Sequence, residues 1–217
     1  MTPQLLAVRS WSEPAAVPQV GAMALLLHGF GSDERDLPGL AERVLPAGIP
    51  WVSLRAPLPT PNGGAAWFPI GRPGSPAPEP VARSVQAITT WVAATLPGEM
   101  PLVPIGFSQG GVMVTELLRS LPDRVAAGAV LSGFVTDGER PGDADTAQAR
   151  IPMFWGRGDA DAVIAGDAVR RTAEWLPAHS ALEAHVYPGL GHAVAPQEVE
   201  DLADFLRRAL SPEAPSA

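Results

Sequence analysis

The chain has 217 residues, of which 46% are hydrophobic and 18% are charged, and this composition excludes a largely disordered protein. Its formal net charge is -8, and all 15 basic residues are arginines scattered along the chain, which argues against a nucleic-acid partner. The absence of cysteine excludes disulfides, thiolate metal sites and a cysteine nucleophile.

The length favours a single domain, because one α/β core commonly takes up about 200 residues. We therefore expect residues 1–217 to form one domain. The N-terminal residues 1–20 lack the basic segment and apolar run that are typical of a signal peptide. No apolar stretch reaches the roughly 18 residues needed to span a membrane. These features predict a cytoplasmic protein without a membrane span. The residues leave open whether it is a monomer or a homodimer.

Short apolar runs alternate along the chain with longer segments of helical periodicity, which predicts a mostly parallel sheet with helices on both faces. Strands are expected at residues 22–27, 50–55, 102–105, 126–131, 151–155 and 182–187, with an edge strand at 5–11. Helices are expected at residues 34–45, 80–96, 109–120, 163–176 and 196–210. Pro104 cannot donate a hydrogen bond to a sheet, so its strand should be irregular there or pair on one side only.

Residues 57–80 are rich in proline and glycine and follow no regular periodicity. An irregular stretch of this length inside a domain is usually functional or a linker, and the piece before it is too small for a core of its own. We therefore expect a loop over the active face, with Trp67 and Phe68 packed down as a wall of an acyl-binding groove. The alternative is a mobile surface loop.

The most informative local motif is Gly106-Phe107-Ser108-Gln109-Gly110, which lies between a predicted strand and a predicted helix. In this context a G-x-S-x-G sequence predicts a strained turn that lifts a serine hydroxyl above the sheet, beside the positive end of the following helix. Ser108 is therefore the candidate nucleophile. The alternative is a glycine-rich turn that contains a serine by chance.

A serine nucleophile needs an adjacent base, and His192 is the best candidate. It follows the last predicted strand in a glycine-containing loop, at the edge where ligands bind in such sheets. His179 lies in a loop between elements, and His185 alternates within a strand, where a structural role is favoured. His28 precedes the nucleophile and belongs to a different motif. No cluster of histidine and acidic residues has the spacing of a zinc site, so we expect no metal.

Two carboxylates, Asp159 and Asp161, follow the predicted strand 151–155 in a turn that leads into a helix. Either of them could cap this helix, and either could accept the hydrogen bond that fixes the tautomer of a catalytic histidine. The residues alone leave this choice open.

Acyl transfer also requires N–H groups that stabilise the tetrahedral oxyanion. The N–H of Gln109 follows the candidate nucleophile, and the turn after the predicted strand 22–27 could direct the N–H of Phe30 toward the same space. A phosphate-binding glycine loop is the weaker interpretation of this turn, because Glu34 stands where a third glycine should be.

Taken together, residues 22–210 resemble the phospholipase/carboxylesterase family of α/β-hydrolases, which includes bacterial carboxylesterases and acyl-protein thioesterases. The most specific matching segments are His28-Gly29-Phe30-Gly31-Ser32, Trp67-Phe68, Gly106-Phe107-Ser108-Gln109-Gly110-Gly111, Leu131-Ser132-Gly133 and Gly191-His192. Alignment of Gly158 and Val163-Ile164 with the acid loop of the family implies that Asp161 is the catalytic acid. Arg157 stands where the family usually has histidine, and Pro69 where it usually has aspartate.

The resemblance implies an α/β-hydrolase fold and hydrolysis of small-molecule carboxylic esters, or of thioesters, through an acyl-serine intermediate without a cofactor. Residues 134–150 are too few for the cap domain of larger α/β-hydrolases, which indicates an open site for small to medium-chain acyl groups. The alternatives are a dienelactone-hydrolase-like or peptidase-like enzyme of the same fold, and a non-catalytic binding protein on it. A nucleotide-binding redox protein is disfavoured because the full glycine fingerprint is missing.

Overall fold

The structure is a computed structural model, and it describes residues 5–11 and 21–211. Its strands are β1 (Ala7–Arg9), β2 (Met23–Leu27), β3 (Trp51–Leu54), β4 (Leu58–Pro59), β5 (Ala65–Ala66), β6 (Leu102–Phe107), β7 (Gly128–Leu131), β8 (Pro152–Gly158) and β9 (Ala181–Tyr187). Its helices are α1 (Pro38–Val44), α2 (Pro78–Thr95), α3 (Gln109–Ser120), α4 (Asp143–Ala149), α5 (Gly166–His179) and α6 (Pro196–Ala209), with a short 3-10 helix at Pro122–Arg124.

Seven strands form one sheet in the order β1-β3-β2-β6-β7-β8-β9. All neighbours in this sheet are parallel except β1, which pairs antiparallel with β3 at the edge. The mostly parallel sheet that the sequence predicts is therefore confirmed, and so is an edge strand within residues 5–11.

The two faces of the sheet carry separate hydrophobic layers, because successive strand side chains point to opposite sides. Met23, Leu25 and Leu27 of β2 belong to the layer that includes residues of α2, α3 and α5. Ala24 and Leu26 of the same strand belong to the layer formed with α1 and α6. This is the arrangement of helices on both faces that the alternation of elements predicts.

Some predicted boundaries differ from the observed ones for identifiable reasons. The helix expected at 163–176 begins only at Gly166, because the N–H groups of Val163 and Ile164 donate to the side chain of Asp161. Helix α4 was not expected at all. Within the irregular stretch 57–80, the short hairpin of β4 and β5 was also not expected.

Pro104 lies within β6, and the strand accommodates it by pairing on one side. On the β2 side the ladder is continuous, with Pro104 opposite Leu25. On the β7 side regular pairing starts only at Ile105. The sequence-based expectation for this proline is confirmed.

The carboxyl ends of β2, β6, β8 and β9 all lie at one edge of the sheet, because these strands are parallel. The predicted site residues follow these ends, so the fold collects them in the crevice where α/β sheets usually bind ligands. Within the part of the chain that the structure describes, no helix is long and apolar enough to cross a membrane.

Candidate active site

Ser108 lies at the junction of β6 and α3, and it has a positive φ angle of 54°. This backbone conformation is rare for residues other than glycine, so the turn is strained, as the motif predicts. A Cβ on Gly106 would overlap the carbonyl group of Gly110, and a Cβ on Gly110 would overlap that of Leu27. Glycine at both positions lets the strand and the helix approach closely enough to form this sharp turn.

His192 contacts both of the other predicted triad residues. Its Nε2 lies 2.9 Å from Oγ of Ser108, and its Nδ1 lies 2.8 Å from Oδ2 of Asp161. Because a carboxylate accepts hydrogen bonds, Nδ1 carries the proton, and Nε2 is left to accept the proton of the serine hydroxyl. The ring of Phe107 packs against the imidazole, with 4.9 Å between the ring centroids. Three distant segments thus meet in the order serine, imidazole, carboxylate.

The carboxylate of Asp161 is also held at its second oxygen. Oδ1 accepts the N–H of Val163 at 2.8 Å and the N–H of Ile164 at 3.2 Å. Burial disfavours the charged form, but the hydrogen bonds from His192 and from these two N–H groups outweigh it and hold the pKa of Asp161 below its usual range. Asp159 instead accepts the N–H of Gly189 at 2.6 Å. Of the two candidate acids, Asp161 is the one that contacts the imidazole.

The turn after β2 carries Phe30, the predicted oxyanion donor, and His28 fixes its geometry. Nε2 of the buried His28 accepts the N–H of Ala56 at 3.1 Å, so Nδ1 carries the proton and donates to the carbonyl of Gly29 at 2.7 Å. Burial lowers the pKa of His28, which favours this neutral form. In a trans peptide the Gly29 carbonyl and the Phe30 N–H point in opposite directions. The imidazole therefore fixes the direction of the Phe30 N–H.

The N–H groups of Phe30 and Gln109 make no hydrogen bond within residues 5–11 and 21–211. Gln109 is the first residue of α3, and the first N–H groups of a helix have no partner inside it. The turn of Phe30 lies beside Ser108, since a Cβ on Gly29 would be 3.5 Å from Cβ of Ser108. Both predicted donors are therefore unoccupied and near Ser108.

The side chain of Gln109 makes a second contribution, which the sequence did not reveal. Its Oε1 accepts the N–H of Trp67 at 3.0 Å, and its Nε2 donates to the carbonyl of Phe68 at 2.8 Å. Both hydrogen bonds are buried, and together they hold the chain in a bend at residues 67–68. Gln109, the residue after Ser108, thereby fixes the start of the irregular segment after β5.

A cavity of about 370 Å³ opens beside Ser108 and His192. Its lining is mostly apolar and includes Phe30, Phe68, Ile70, Phe107, Phe134 and Ile164, together with the charged residues Asp36 and Arg72. Apolar walls with a few polar groups are typical of sites that bind the hydrocarbon part of a ligand and orient its reactive group. The cavity can hold a hydrocarbon chain whose carbonyl group lies at Ser108.

Phe68 lines this cavity, but Trp67 does not. Trp67 is fully buried, and its Nε1 donates to the carbonyl of His28 at 2.8 Å. The expectation that Trp67 forms a wall is therefore corrected: this residue is buried outside the cavity lining, and its ring packs against His28 with 5.5 Å between the ring centroids. Phe134 and Ile164 also line the cavity and were not predicted from the sequence, because their place there depends on how distant loops pack together.

Within the described residues, no group of three or more histidine, aspartate and glutamate side chains is placed to hold a metal ion. His185 stacks on Phe154 and contacts Glu183, and His179 stacks on Trp175, so both rings take part in packing. The site itself offers a hydroxyl, a base, an orienting carboxylate and two free N–H groups beside an apolar cavity. These are the groups that acyl transfer requires.

The chain matches the family described as Phospholipase/Carboxylesterase over residues 15–210. It is 28% identical to a protein of Oryza sativa subsp. japonica that is named a probable carboxylesterase. The alignment of 162 residues covers 69% of this chain and 61% of that relative. It is 36% identical to acyl-protein thioesterase 1 of Mycosarcoma maydis. The alignment of 118 residues covers 48% of this chain and 46% of that relative. The matched segments span less than two thirds of the length of these relatives.

Among solved structures, the carboxylesterase of Bacillus cereus superposes with a TM-score of 0.79, at 19% identity and with 95% of each chain covered. This likeness establishes the α/β-hydrolase fold. Because the family match extends over residues 15–210 of the 217, the chain belongs to the phospholipase/carboxylesterase family.

Proposed function

We propose that the protein is a serine hydrolase that cleaves carboxylic esters with small to medium-chain acyl groups through an acyl-serine intermediate. The observation that carries the proposal is the hydrogen-bonded series of Ser108, His192 and Asp161 beside an apolar cavity. Membership of a family whose relatives are named carboxylesterase and acyl-protein thioesterase supports an ester or a thioester as the bond that is cleaved.

In the acylation step, Nε2 of His192 accepts the proton of the Ser108 hydroxyl as Oγ attacks the carbonyl carbon of the ester. The negative charge that develops on the carbonyl oxygen is stabilised by the N–H groups of Phe30 and Gln109. One such donor is worth about 2.7 to 4 kcal/mol in measured cases. The ionised Asp161 stabilises the imidazolium, which then protonates the leaving alcohol or thiol.

In the deacylation step, water takes the place of the alcohol. His192 accepts a proton from this water, the resulting hydroxide attacks the acyl carbon, and Ser108 recovers its proton as the acid leaves. Every proton moves between the substrate, water, Ser108 and His192, so the cycle uses no cofactor. The substrate is a small molecule in this proposal, and the cavity holds its hydrocarbon part.

We also propose that residues 1–217 work as a single domain. The site draws on strands from both halves of one sheet, β2 and β6 on one side and β8 and β9 on the other. A division of the chain between these strands would separate Ser108 from His192.

The test is the Ser108→Ala variant, assayed with p-nitrophenyl esters and labelled with a fluorophosphonate probe. We expect loss of both hydrolysis and labelling, because no other hydroxyl in the described part of the chain contacts His192. Ser32→Ala is the matched control, since Ser32 lines the same cavity without a side-chain hydrogen bond to a histidine. Substantial turnover or labelling in the Ser108→Ala variant would contradict the proposal.

A further inference from the structure

Two irregular segments contribute walls to the cavity. One is the segment of residues 68–76 between β5 and α2, and the other is the loop after β7, which places Phe134 at the cavity. Strands are fixed to their neighbours by ladders of backbone hydrogen bonds, but these segments belong to no ladder. Side chains from elsewhere must therefore hold them in place.

Arg171 of α5 joins the two segments. Its Nη2 donates to the carbonyl of Gly74 at 2.6 Å, and its Nε donates to the carbonyl of Val135 at 2.8 Å. Val135 is the neighbour of Phe134. Because a guanidinium is planar and its donors are fixed relative to one another, the two carbonyl groups are held at a defined separation.

Helix α5 makes two further contacts with the same segments. Oγ1 of Thr172 accepts the N–H of Val135 at 2.9 Å, so both backbone polar groups of this buried residue are bound by neighbouring residues of one helix. Gly74, with a φ angle of 71°, packs its backbone on the helix, and a Cβ there would lie 2.8 Å from Cβ of Ala168. Helix α5 thus fixes one point on each wall.

We propose that Arg171 is a specificity-determining positioning residue, which sets the separation of the two walls and so the length of hydrocarbon chain that the cavity accepts. The inference rests on the proposed esterase function. Arg171 neither lines the cavity nor contacts the triad, so it acts on the substrate only through Gly74 and Val135.

The physical basis is the contact between the walls and the chain of the substrate. Each methylene group that is fully buried strengthens binding about fourfold, and this gain requires walls in contact with it. When Arg171 is replaced, the carbonyls of Gly74 and Val135 lose their common donor. Thr172 still binds the N–H of Val135, whereas the wall that contains Gly74 loses its hydrogen bond to α5 and can move away. An acetyl group beside Ser108 has no distal carbons and does not depend on that separation.

The experiment uses Arg171→Met, which removes the donors and keeps an unbranched side chain. Two ester series are measured: p-nitrophenyl esters of increasing acyl length, and acetate esters of increasing alcohol length. In one of the two series, we expect kcat/KM of Arg171→Met for the eight-carbon ester to fall about tenfold below the parent value, mainly through a higher KM. The value of kcat/KM for p-nitrophenyl acetate should stay within about twofold of the parent value. The affected series identifies the chain that lies between the two walls.

Arg171→Lys keeps the positive charge but replaces the planar guanidinium with a single ammonium group. The chain-length dependence of this variant should therefore be intermediate between those of the parent and Arg171→Met.

Arg170→Met is the matched control, because Arg170 is the exposed neighbour of Arg171 on α5 and should keep the parental profile. An unchanged length dependence of Arg171→Met in both series would overturn the inference, and so would an equal loss of activity at every chain length. If Arg171→Met does not fold, as judged by thermal unfolding, the same comparison with Arg171→Lys decides. Failure of the proposed function is recognised separately, by activity that persists in Ser108→Ala.

Discussion

The proposed triad and the walls of the cavity are built in different ways. Ser108, Asp161 and His192 follow the ends of β6, β8 and β9, which are fixed in the sheet by continuous parallel ladders. Ser108 stands at the junction of a strand and a helix, and Asp161 and His192 lie in short loops that begin at these strand ends. A change in one of these side chains should leave the surrounding backbone in place.

The walls depend on a few individual side chains. The amide of Gln109 holds residues 67–68, and the guanidinium of Arg171 holds Gly74 and Val135. We therefore expect the proposed chemistry and the proposed substrate selectivity to depend on separate contacts. Changes in the triad should reduce the rate for all substrates alike, whereas changes in the wall contacts should alter the dependence on chain length.

After Ser108→Ala, the largest effect is expected for Asp161→Asn. Loss of the carboxylate disturbs the tautomer of His192 and the stabilisation of the imidazolium, so kcat should fall by roughly 10³ to 10⁴ for every chain length. Asp159→Asn is the matched control and should have a mild effect, because Asp159 binds the N–H of Gly189. The kcat values of both variants test this prediction. The opposite ranking would show that Asp159 is the acid.

A smaller and more selective effect is expected for Gln109→Leu. This variant keeps its own N–H but leaves the N–H of Trp67 and the carbonyl of Phe68 unpaired, at a cost of about 1 to 3 kcal/mol for each buried group. We expect kcat/KM to fall by roughly 10- to 100-fold, with the greater loss for longer acyl chains. Gln86→Leu is the control, because it makes the same substitution at an exposed position of α2. A loss that is uniform over all chain lengths would argue against a wall function for this side chain.

The unmodified protein should show the chain-length dependence itself. Values of kcat/KM should rise from acetyl through butyryl to medium-length p-nitrophenyl esters, by up to about fourfold for each buried methylene. They should fall again for palmitoyl, because a cavity of about 370 Å³ leaves the distal carbons of such a chain in water. The assay uses ester concentrations below the micelle threshold. A steady rise through palmitoyl would reveal a lipid-binding surface beyond the cavity.

The smallest effect concerns the stability of the protein, and it tests the packing of a helix on the sheet that carries the proposed triad. Glu198 of α6 is fully buried against Gly156 of β8. Its Oε2 accepts the N–H of Ala195 at 3.3 Å, whereas its Oε1 has no hydrogen-bond partner in the described residues. Burial raises the pKa of Glu198 to about 7, above its ordinary value of 4.5. The folded state therefore holds this proton more tightly than the unfolded state does, and stability is lost as the pH rises through about 7.

Glu198→Gln cannot ionise, so it should gain stability relative to the parent by roughly 1 to 3 kcal/mol between pH 5 and pH 8. Thermal unfolding at both pH values measures this difference. Glu200→Gln, an exposed change on the same helix, should show no such trend. A constant difference between Glu198→Gln and the parent at both pH values would contradict the prediction.

The sequence by itself determined the order and type of the main elements, because strand and helix periodicity are local properties of hydrophobic burial. It also determined the strained turn at Ser108, since the glycines two residues on either side are required by close contacts within that turn and with its neighbour strand. The position of His192 after the last strand followed from the same local pattern.

The tertiary structure decided what depends on contacts between distant segments. Two acids two residues apart have the same local pattern, and their residues alone left the choice open. The resemblance to the family favoured Asp161, and the placement of the loop shows that Asp161, not Asp159, contacts His192. In the same way, no local signal shows that Trp67 is buried against His28, or that Arg171 reaches residues 97 and 36 positions away in the chain. Such contacts arise when irregular segments pack on the finished sheet, and periodicity carries no information about that packing.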